Sequence, residues 1–360
     1  MGEHFDLLLA GAGHAHLGVL RQWAVNPKTR PAGHIGLLSA DAHAWYSGML
    51  PGLLRGRYAL EQCRIGLTEL CTAAGVELLL GQACGLEPAA QQLQVSDGRQ
   101  LQYRYLSLNL GSQPLAPTQY GSGLELLPVK PFSAFIARWQ RWQQQPQPLA
   151  ILGGGAAGVE LALALAPQLP ALSLLTAGNL LDGHPPALRK RALAYLGKAQ
   201  VVVQEHCRVD EAQGQHLLSA ARVVWRGNRA VIASGASALP WLQACGLACD
   251  NQGFVSITAS LQSSSHPTVF AVGDCASLAH TPHNGVYAVR QGPVLAHNLA
   301  ALSEQRALRT YQPQRRALAL LATGDGGALA SWAGLTFEGQ LLGRWKDHLD
   351  QSFMRRHGNI

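Results

Sequence analysis

The fold is decided by the stretch Leu149-Ala150-Ile151-Leu152-Gly153-Gly154-Gly155-Ala156-Ala157-Gly158. Its four leading apolar residues predict a short strand that is buried on both faces. Glycines 153, 155 and 158 have the spacing G-x-G-x-x-G, and the Ala/Leu-rich run 159–166 predicts a helix. In such a strand–turn–helix unit the backbone can approach a pyrophosphate at the helix N-terminus. Gly153, Gly155 and Gly158 are therefore predicted to bind a dinucleotide.

A second unit of this kind, with a weaker signature, begins the chain. Residues 5–10 predict a buried strand, Gly11 and Gly13 form the turn, and an apolar-periodic run over 15–23 predicts the helix. His16 stands where the third glycine would be. Two such units in one chain suit an enzyme that moves hydride between two dinucleotides. We therefore predict an α/β fold with two Rossmann-like dinucleotide-binding domains and a small C-terminal α+β unit.

Composition restricts the class of protein. The chain has 360 residues, of which 48% are hydrophobic and 14% charged, which is typical of a globular protein with two or three domains. The net charge of +7 is dispersed, and without a zinc-finger or RNA-binding motif no nucleic-acid partner is predicted. The seven cysteines have no framework spacing, so reduced thiols in a cytoplasmic protein are expected. Neither a signal peptide nor a membrane span of about 18 apolar residues is evident.

Several short motifs carry a family resemblance. They are Gly13-His14-Ala15-His16, Tyr46-Ser47-Gly48-Met49-Leu50-Pro51-Gly52, Gly285-Val286-Tyr287-Ala288-Val289-Arg290-Gln291-Gly292-Pro293, Arg344-Trp345-Lys346-Asp347 and Phe353-Met354-Arg355-Arg356. Together they resemble the pyridine nucleotide-disulfide oxidoreductase family related to type II NADH dehydrogenases. More narrowly, they are similar to the branch often joined to the N-terminus of selenophosphate synthetase (selenide, water dikinase). The resemblance implies FAD in the first unit and NAD(P)H in the second.

The resemblance also implies a domain plan and site residues. A discontinuous FAD-binding domain (1–125 and 251–300) would enclose an inserted NAD(P)-binding domain (126–250), and 301–360 would form the C-terminal unit. Glu160 would face the junction of flavin and nicotinamide and position the nicotinamide. The residues expected to bind cofactor are Gly11, Gly13, His14, His16, Ser39, Asp41, Gly153, Gly155, Gly158, Gly273, Asp274 and Gln291.

The expected roles of these cofactor residues differ. Asp274 follows an apolar run at 268–272 and would contact the ribitol and pyrophosphate region of FAD. Ser39, with Asp41 as a substitute, stands where a carboxylate normally holds the adenine ribose. His14 and His16 are expected to donate hydrogen bonds rather than to act as acid–base groups. Gln291 is either a pocket residue or an ordinary helix residue. The histidines are spaced too irregularly for a ligand set, so no metal is predicted.

The electron acceptor and the partners are left open by the sequence. Quinone is the acceptor class by analogy. A flavoprotein acting on reduced sulfur or selenium species is the alternative, although Cys63 and Cys71 are too far apart for a dithiol motif and Cys245-x-x-x-Cys249 lacks redox spacing. A non-catalytic partner of selenophosphate synthesis is a third alternative. Residues 174–178 offer neither an acid nor an arginine, so the choice between NADH and NADPH is open.

The C-terminal unit is predicted to hold strands within 332–342 and then an amphipathic helix. Leu342, Trp345, Leu349 and Phe353 fall on one helical face, with basic residues beside them. One interpretation is peripheral contact with an anionic membrane, at its inner face. The other is packing on the protein's own FAD domain or on a partner subunit, as in a homodimer.

Overall fold

The computed structural model describes residues 3–314 and 316–358. The strands, in chain order, are β1 (His4–Ala10), β2 (Ile35–Ser39), β3 (His43–Trp45), β4 (Arg64–Gly66), β5 (Glu77–Leu80), β6 (Ala83–Glu87), β7 (Gln92–Val95), β8 (Gln100–Leu108), β9 (Gln113–Pro114), β10 (Thr118–Tyr120), β11 (Glu125–Pro128), β12 (Leu149–Leu152), β13 (Leu172–Leu175), β14 (Val202–Gln204), β15 (Glu211–Gln213), β16 (His216–Ser219), β17 (Arg222–Arg226), β18 (Arg229–Ile232), β19 (Ala236–Ser237), β20 (Val255–Ser256), β21 (Val269–Ala271), β22 (Ala276–Ser277), β23 (Ala319–Ala322), β24 (Ala328–Trp332) and β25 (Leu335–Gly339). The α-helices are α1 (His14–Val25), α2 (Leu50–Leu54), α3 (Leu67–Ala74), α4 (Phe132–Gln143), α5 (Ala156–Leu165), α6 (Pro186–Lys198), α7 (Pro240–Ala244), α8 (Gly285–Ser303) and α9 (Gln340–Gly358).

The first sheet is built on parallel strands in the order β5-β2-β1-β8-β21. Its central strand β1 is an almost wholly buried apolar run, as a strand covered on both faces requires. The start of β8 also pairs antiparallel with β7, and a β6–β7 hairpin extends that edge. The strand order changes direction between β1 and β8, so the crevice beyond their carboxyl ends is the expected ligand position.

The second sheet repeats this plan. Its strands run parallel in the order β11-β18-β12-β13-β14, and the direction changes between β12 and β18. Helix α5 follows β12 directly, and its buried side chains pack into a second apolar core. The prediction of two Rossmann-like units is confirmed, because each apolar strand buries both of its faces only when helices cover the sheet.

Smaller sheets connect and extend these units. Strands β10, β15, β16 and β17 form one, in which β10 and β15 are parallel and the others antiparallel. Short pairs are β3 with β4, β9 with β19, and β20 with β22. After the second sheet the chain returns to the first, where β21 pairs with β8. The boundaries 1–125, 126–250, 251–300 and 301–360 remain predictions.

The C-terminal unit is the antiparallel sheet β23-β24-β25 followed by α9. It packs against both larger units, since β23 contacts α5 and α9 contacts β4 and α1. Gly343 allows a close approach here, because a β-carbon on it would stand 2.0 Å from the carbonyl oxygen of Gly326. Helix α9 is thereby held against the region where the two dinucleotide units meet.

Candidate functional site

The first glycine turn lies at the direction change of the first sheet. Gly11 has φ +90, and a β-carbon on it would stand 2.5 Å from the backbone oxygen of Asn109. A β-carbon on Gly13 would stand 2.4 Å from Asn109 Oδ1. Both glycines are therefore required by close packing at the end of β8. Helix α1 begins at this turn with Gly13 at its N-cap position, and the dipole of the helix favours an anion at this end.

Asn109 joins three segments of this site. Its Oδ1 accepts hydrogen bonds from the amides of Ala15 (3.1 Å) and His16 (3.2 Å), and its Nδ2 donates to the carbonyl oxygen of Val272 (3.0 Å). The residue is only 4% exposed. The amide thus fixes the start of α1 against the end of β21. Asn109 was not among the residues predicted for the site from the sequence.

Of the two histidines of the first turn, His16 is buried and His14 is half-buried. His16 forms hydrogen bonds with the Gly11 carbonyl oxygen through Nδ1 (2.6 Å) and with Ser107 Oγ through Nε2 (2.8 Å). At the position of the third glycine, the His16 side chain therefore connects the turn to β8. Desolvation lowers the pKa of both His14 and His16 to about 4, which keeps both rings neutral at pH 7. The His14 ring lies 5.4 Å from that of Phe353 in α9.

Asp274 lies in the turn after β21, as the sequence indicated. Its Oδ2 is 3.0 Å from Lys130 Nζ, and the same ammonium donates to Ser112 Oγ at 3.3 Å. Gln291 is 2% exposed and accepts a hydrogen bond from the Gly273 amide through Oε1 at 2.7 Å. Gln291 therefore supports the Gly273 turn from beneath. Lys130 thus connects the two dinucleotide units. No role was predicted for Lys130 from the sequence.

Ser39 and Asp41 are placed together at the end of β2. Ser39 is buried and its Oγ donates to the backbone oxygen of Asp41 at 2.7 Å. The Asp41 carboxylate accepts from the His43 amide (3.0 Å) and from Trp45 Nε1 (2.8 Å). Burial opposes ionisation of Asp41, but these hydrogen bonds outweigh it and lower the pKa of the carboxyl. The carboxylate holds its own loop, and ribose binding by either residue remains a prediction.

The second glycine turn lies between β12 and α5. Gly153 has φ +128, and a β-carbon on Gly158 would stand 1.8 Å from the Gly153 carbonyl oxygen. By contrast, nothing lies within 4 Å of the β-carbon position of Gly155, so the turn opens to free space there. Beyond β13, Asp182 Oδ2 lies 3.7 Å from the β-carbon position of Gly178. Asp182 is thus an acid in the loop after β13 that was not predicted from the sequence.

Both turns fit a dinucleotide. Each lies beyond the carboxyl ends of parallel strands at a direction change and faces the N-terminus of a helix. The Asp274–Lys130 pair stands at the first turn. Gly11, Gly13, His14 and Asp274 are the residues that would hold FAD, and Gly153, Gly155 and Gly158 those that would hold NAD(P)H.

Glu160 is the fifth residue of α5, and its side chain faces away from solvent toward the C-terminal unit. Its Oε1 accepts a hydrogen bond from the Ala322 amide in β23 at 2.8 Å and lies 3.9 Å from Lys346 Nζ in α9. The same ammonium donates to Asp350 Oδ2 (2.9 Å) and to the Gly48 carbonyl oxygen (2.9 Å). Burial raises the pKa of Glu160 and of Asp350. Lys346 and Asp350 were not among the predicted site residues.

Tyr46 connects this charged cluster to the first turn. Its hydroxyl donates to Asp350 Oδ1 at 3.1 Å, and burial beside that carboxylate raises its pKa. Its ring stacks on Phe353 with centroids 4.5 Å apart and meets the edge of His14 at 5.6 Å. The motif that begins at Tyr46 thus brings the FAD unit, α5 and α9 into one site.

The apolar face predicted on α9 is exposed in part, and membrane contact and packing on the protein both remain open. Of the apolar face predicted from the sequence, Trp345 is 44% and Leu349 41% exposed. The side chains of Lys346 and Asp350 are buried instead, at 13% and 9% exposure. Ion pairing and hydrogen bonds to the other two units compensate this burial, which helical periodicity alone cannot reveal.

The cysteines of the chain are free thiols. All seven lie within the described residues, and none forms a disulfide. Desolvation raises the pKa of the Cys63 and Cys71 thiols to about 12, away from the reactive thiolate. Among residues 3–314 and 316–358, no group of three or more His, Cys, Asp or Glu residues could hold a metal ion.

A family model described as "Pyridine nucleotide-disulphide oxidoreductase" matches residues 5–297. The chain belongs to this family. Members of the pyridine nucleotide-disulphide oxidoreductase family use FAD and NAD(P)H, and these are the cofactors of this chain. It is accordingly an FAD-dependent oxidoreductase.

Known proteins similar to this family member differ in activity. Ferroptosis suppressor protein 1 of Taeniopygia guttata is 23% identical over 252 residues, which are 65% of either chain, so the matched region spans less than two thirds of that relative. The sulfide:quinone oxidoreductase of Aquifex aeolicus superposes with a TM-score of 0.78 at 15% identity, covering 99% of this chain and 92% of that one. The water-forming NADH oxidase of Lactobacillus brevis gives 0.74 at 17%, covering 91% and 75%. At these identities the two structures show the fold alone.

In the part of the chain that the structure describes, no helix has the length and apolar character needed to cross a membrane.

Proposed function

We propose that this flavoprotein passes hydride from NAD(P)H to FAD and then reduces a small molecule of the quinone class, as in type II NADH dehydrogenases. The observation that carries the proposal is the position of Glu160. Glu160 lies immediately beyond the second glycine turn. It belongs to the charged cluster of Lys346 and Asp350, and Asp350 accepts a hydrogen bond from Tyr46, whose ring contacts His14 of the first turn. A residue that positions the nicotinamide at the flavin must lie at such a junction.

The residues of this chain would bind the two cofactors, orient the nicotinamide and shield the junction from water. FAD supplies the two-electron carrier, because the hydride chemistry belongs to the cofactors. Gly11, Gly13 and α1 would hold the FAD pyrophosphate, with Asp274 next to its ribitol. Glu160 would position the nicotinamide from α5. The stacked Tyr46 and Phe353 rings would exclude water from the junction.

The proposed function predicts that the purified protein carries flavin and that NADH or NADPH bleaches its visible spectrum without oxygen. Gly158→Ala is the matched variant, because its β-carbon collides with the second turn and leaves the first turn unchanged. We expect this variant to keep its flavin and to lose at least tenfold in the rate of bleaching. Flavin that neither coenzyme bleaches would contradict the hydride path. A protein that cannot be reconstituted with FAD would contradict the cofactor assignment as well.

Two features support a quinone-class acceptor: the raised pKa of two cysteine thiols and the presence of two buried carboxyl groups. A flavoprotein acting on reduced sulfur or selenium needs reactive cysteines, whereas burial raises the pKa of Cys63 and Cys71 to about 12. A quinone needs protons as well as electrons, and Glu160 and Asp350 are buried carboxyl groups at the proposed junction. Partnership with selenophosphate synthetase remains an expectation from the resemblance alone.

We further propose peripheral contact with an anionic membrane through the outer face of the C-terminal unit. We define the outer face as the exposed apolar side chains on β24, β25 and α9, together with Arg344, Arg355 and Arg356, which are exposed on α9. Its apolar members are Trp332, Leu335, Phe337, Leu341, Trp345 and Leu349. Apolar side chains with basic neighbours suit an interfacial surface.

The membrane proposal predicts that the protein floats with phosphatidylglycerol liposomes and much less with neutral ones. Replacing Leu341 and Trp345 together with serine removes about 3 kcal/mol of burial and should weaken flotation about a hundredfold. Leu80→Ser, at a leucine that is 54% exposed on the first sheet, is the control and should leave flotation unchanged. If the serine pair instead dissociates a homodimer without affecting flotation, the outer face is a subunit interface.

A further inference from the structure

The cluster around Lys346 contains more negative than positive charge. Lys346 Nζ lies 2.9 Å from Asp350 Oδ2 and 3.9 Å from Glu160 Oε1. The side chains of all three are at most 16% exposed. One ammonium group cannot neutralise two carboxylates, and burial makes an uncompensated charge costly. The cluster is therefore expected to bind one proton.

The hydrogen bonds indicate which carboxyl group holds this proton. Asp350 accepts from the Lys346 ammonium and from the Tyr46 hydroxyl, and both donors favour its ionised form. Within residues 3–314 and 316–358, Glu160 accepts one hydrogen bond, from the Ala322 amide, and its distance from Lys346 exceeds hydrogen-bond length. We propose that Asp350 is a positioning residue that takes the charge of Lys346 and thereby keeps Glu160 a neutral carboxylic acid.

The other ionisable groups around the cluster supply no second cation within the described residues. Asp347 on α9 accepts from the Tyr58 hydroxyl, and its negative charge disfavours ionisation of Asp350, whereas the Lys346 ammonium and the Tyr46 hydroxyl contact Asp350 directly and favour it. Burial raises the pKa of Tyr58 and Cys63, so both are neutral at pH 7. Arg57 is exposed beside Tyr58 and is not paired with Glu160 in the described structure. Lys346 thus remains the cation that Glu160 and Asp350 share.

A neutral Glu160 has a chemical consequence, which rests on the proposed function. A protonated carboxyl group both donates and accepts a hydrogen bond, whereas a carboxylate only accepts. It can therefore pair with both the amide N–H and the carbonyl of a nicotinamide carboxamide, or donate to an acceptor oxygen. Nicotinamide-driven reduction should decline as the pH rises through the pKa of Glu160.

The test is an infrared pH titration of the oxidised holoprotein without NAD(P)H. The wild type should show the carbonyl band of a protonated carboxylic acid at pH 7, and Glu160→Gln should remove it while leaving the protein folded. In Asp350→Asn, Lys346 is free to pair with Glu160, and the band should titrate about 1–3 pH units lower. Asp347→Asn is the control, because it removes a nearby charge without releasing Lys346, and should shift the band by less than about one unit.

Three outcomes would overturn the proposal. The wild-type band is absent at pH 7, the band persists in Glu160→Gln, or Asp350→Asn titrates as the wild type does. If Asp350→Asn does not fold, the first two outcomes still decide whether Glu160 holds the proton. The dependence of the Glu160 titration on the neighbouring charge is then measured in Lys346→Gln. Loss of that cation should move the titration of Glu160 to higher pH, and an unchanged titration would count against the proposal.

A kinetic measurement separates positioning from a structural role. In Asp350→Asn, the alkaline limb of NADH- or NADPH-driven bleaching should move to lower pH by the shift seen in the infrared titration. A structural defect would lower the rate at every pH and leave the limb in place. If neither coenzyme bleaches the wild type, the proposed function fails, while the infrared titration still decides the roles of Asp350 and Glu160.

Discussion

Lys346→Met is expected to lower the free energy of unfolding by about 3–5 kcal/mol at neutral pH, because it leaves the buried Asp350 carboxylate without its cation. Methionine keeps the apolar stem, so the loss reports charge rather than packing. Chemical denaturation of the holoprotein measures it. The deficit should diminish as the pH falls, since a protonated Asp350 no longer needs a counterion. It should be largest at pH values above the raised pKa of that carboxyl.

Two variants test the cause of this loss. Arg344→Met removes a charge from the exposed side of the same helix and should change stability by less than about 0.5 kcal/mol. Adding Asp350→Asn to Lys346→Met should restore part of the loss, because it removes the uncompensated charge. A Lys346→Met protein as stable as the wild type would show that the ammonium does not compensate buried carboxylates here.

Asn109→Ala is expected to release most of the flavin during purification and to lower the free energy of unfolding by about 1–3 kcal/mol. The substitution leaves the Ala15 and His16 amides and the Val272 carbonyl without their partner at a buried position. The start of α1 and the Gly273–Asp274 turn should then separate, although neither changes in sequence. The flavin-to-protein absorbance ratio and a denaturation curve measure the two effects.

Asn251→Ala is the matched control, because Asn251 is an exposed asparagine in the segment that returns to the first sheet. It should retain flavin and stability. If Asn109→Ala keeps its full complement of flavin, the amide contributes packing and does not organise the cofactor turn. A loss of flavin without a loss of stability would show that the Asn109 amide acts on cofactor binding and not on folding.

Much of the fold could be predicted because its signals are local. The apolar runs before Gly11 and Gly153, the glycine spacing and the helical periodicity that follows are each read within about ten residues, and each determines a strand, a turn or a helix. The family motifs then indicated FAD and NAD(P)H. The position of Glu160 next to the second turn was likewise evident from the sequence, whereas the expected position of Asp274 near the first turn came from the family resemblance.

The rest depended on contacts between distant segments. Two dinucleotide-binding units follow from the sequence, since short-range periodicity and glycine geometry suffice for them. The folded chain was needed to show that Asn109 joins α1 to β21, that Lys346 and Asp350 meet Glu160, and that α9 buries its polar side. A buried charge is stable only when its partner is in place, and here the partners come from segments far apart in the chain.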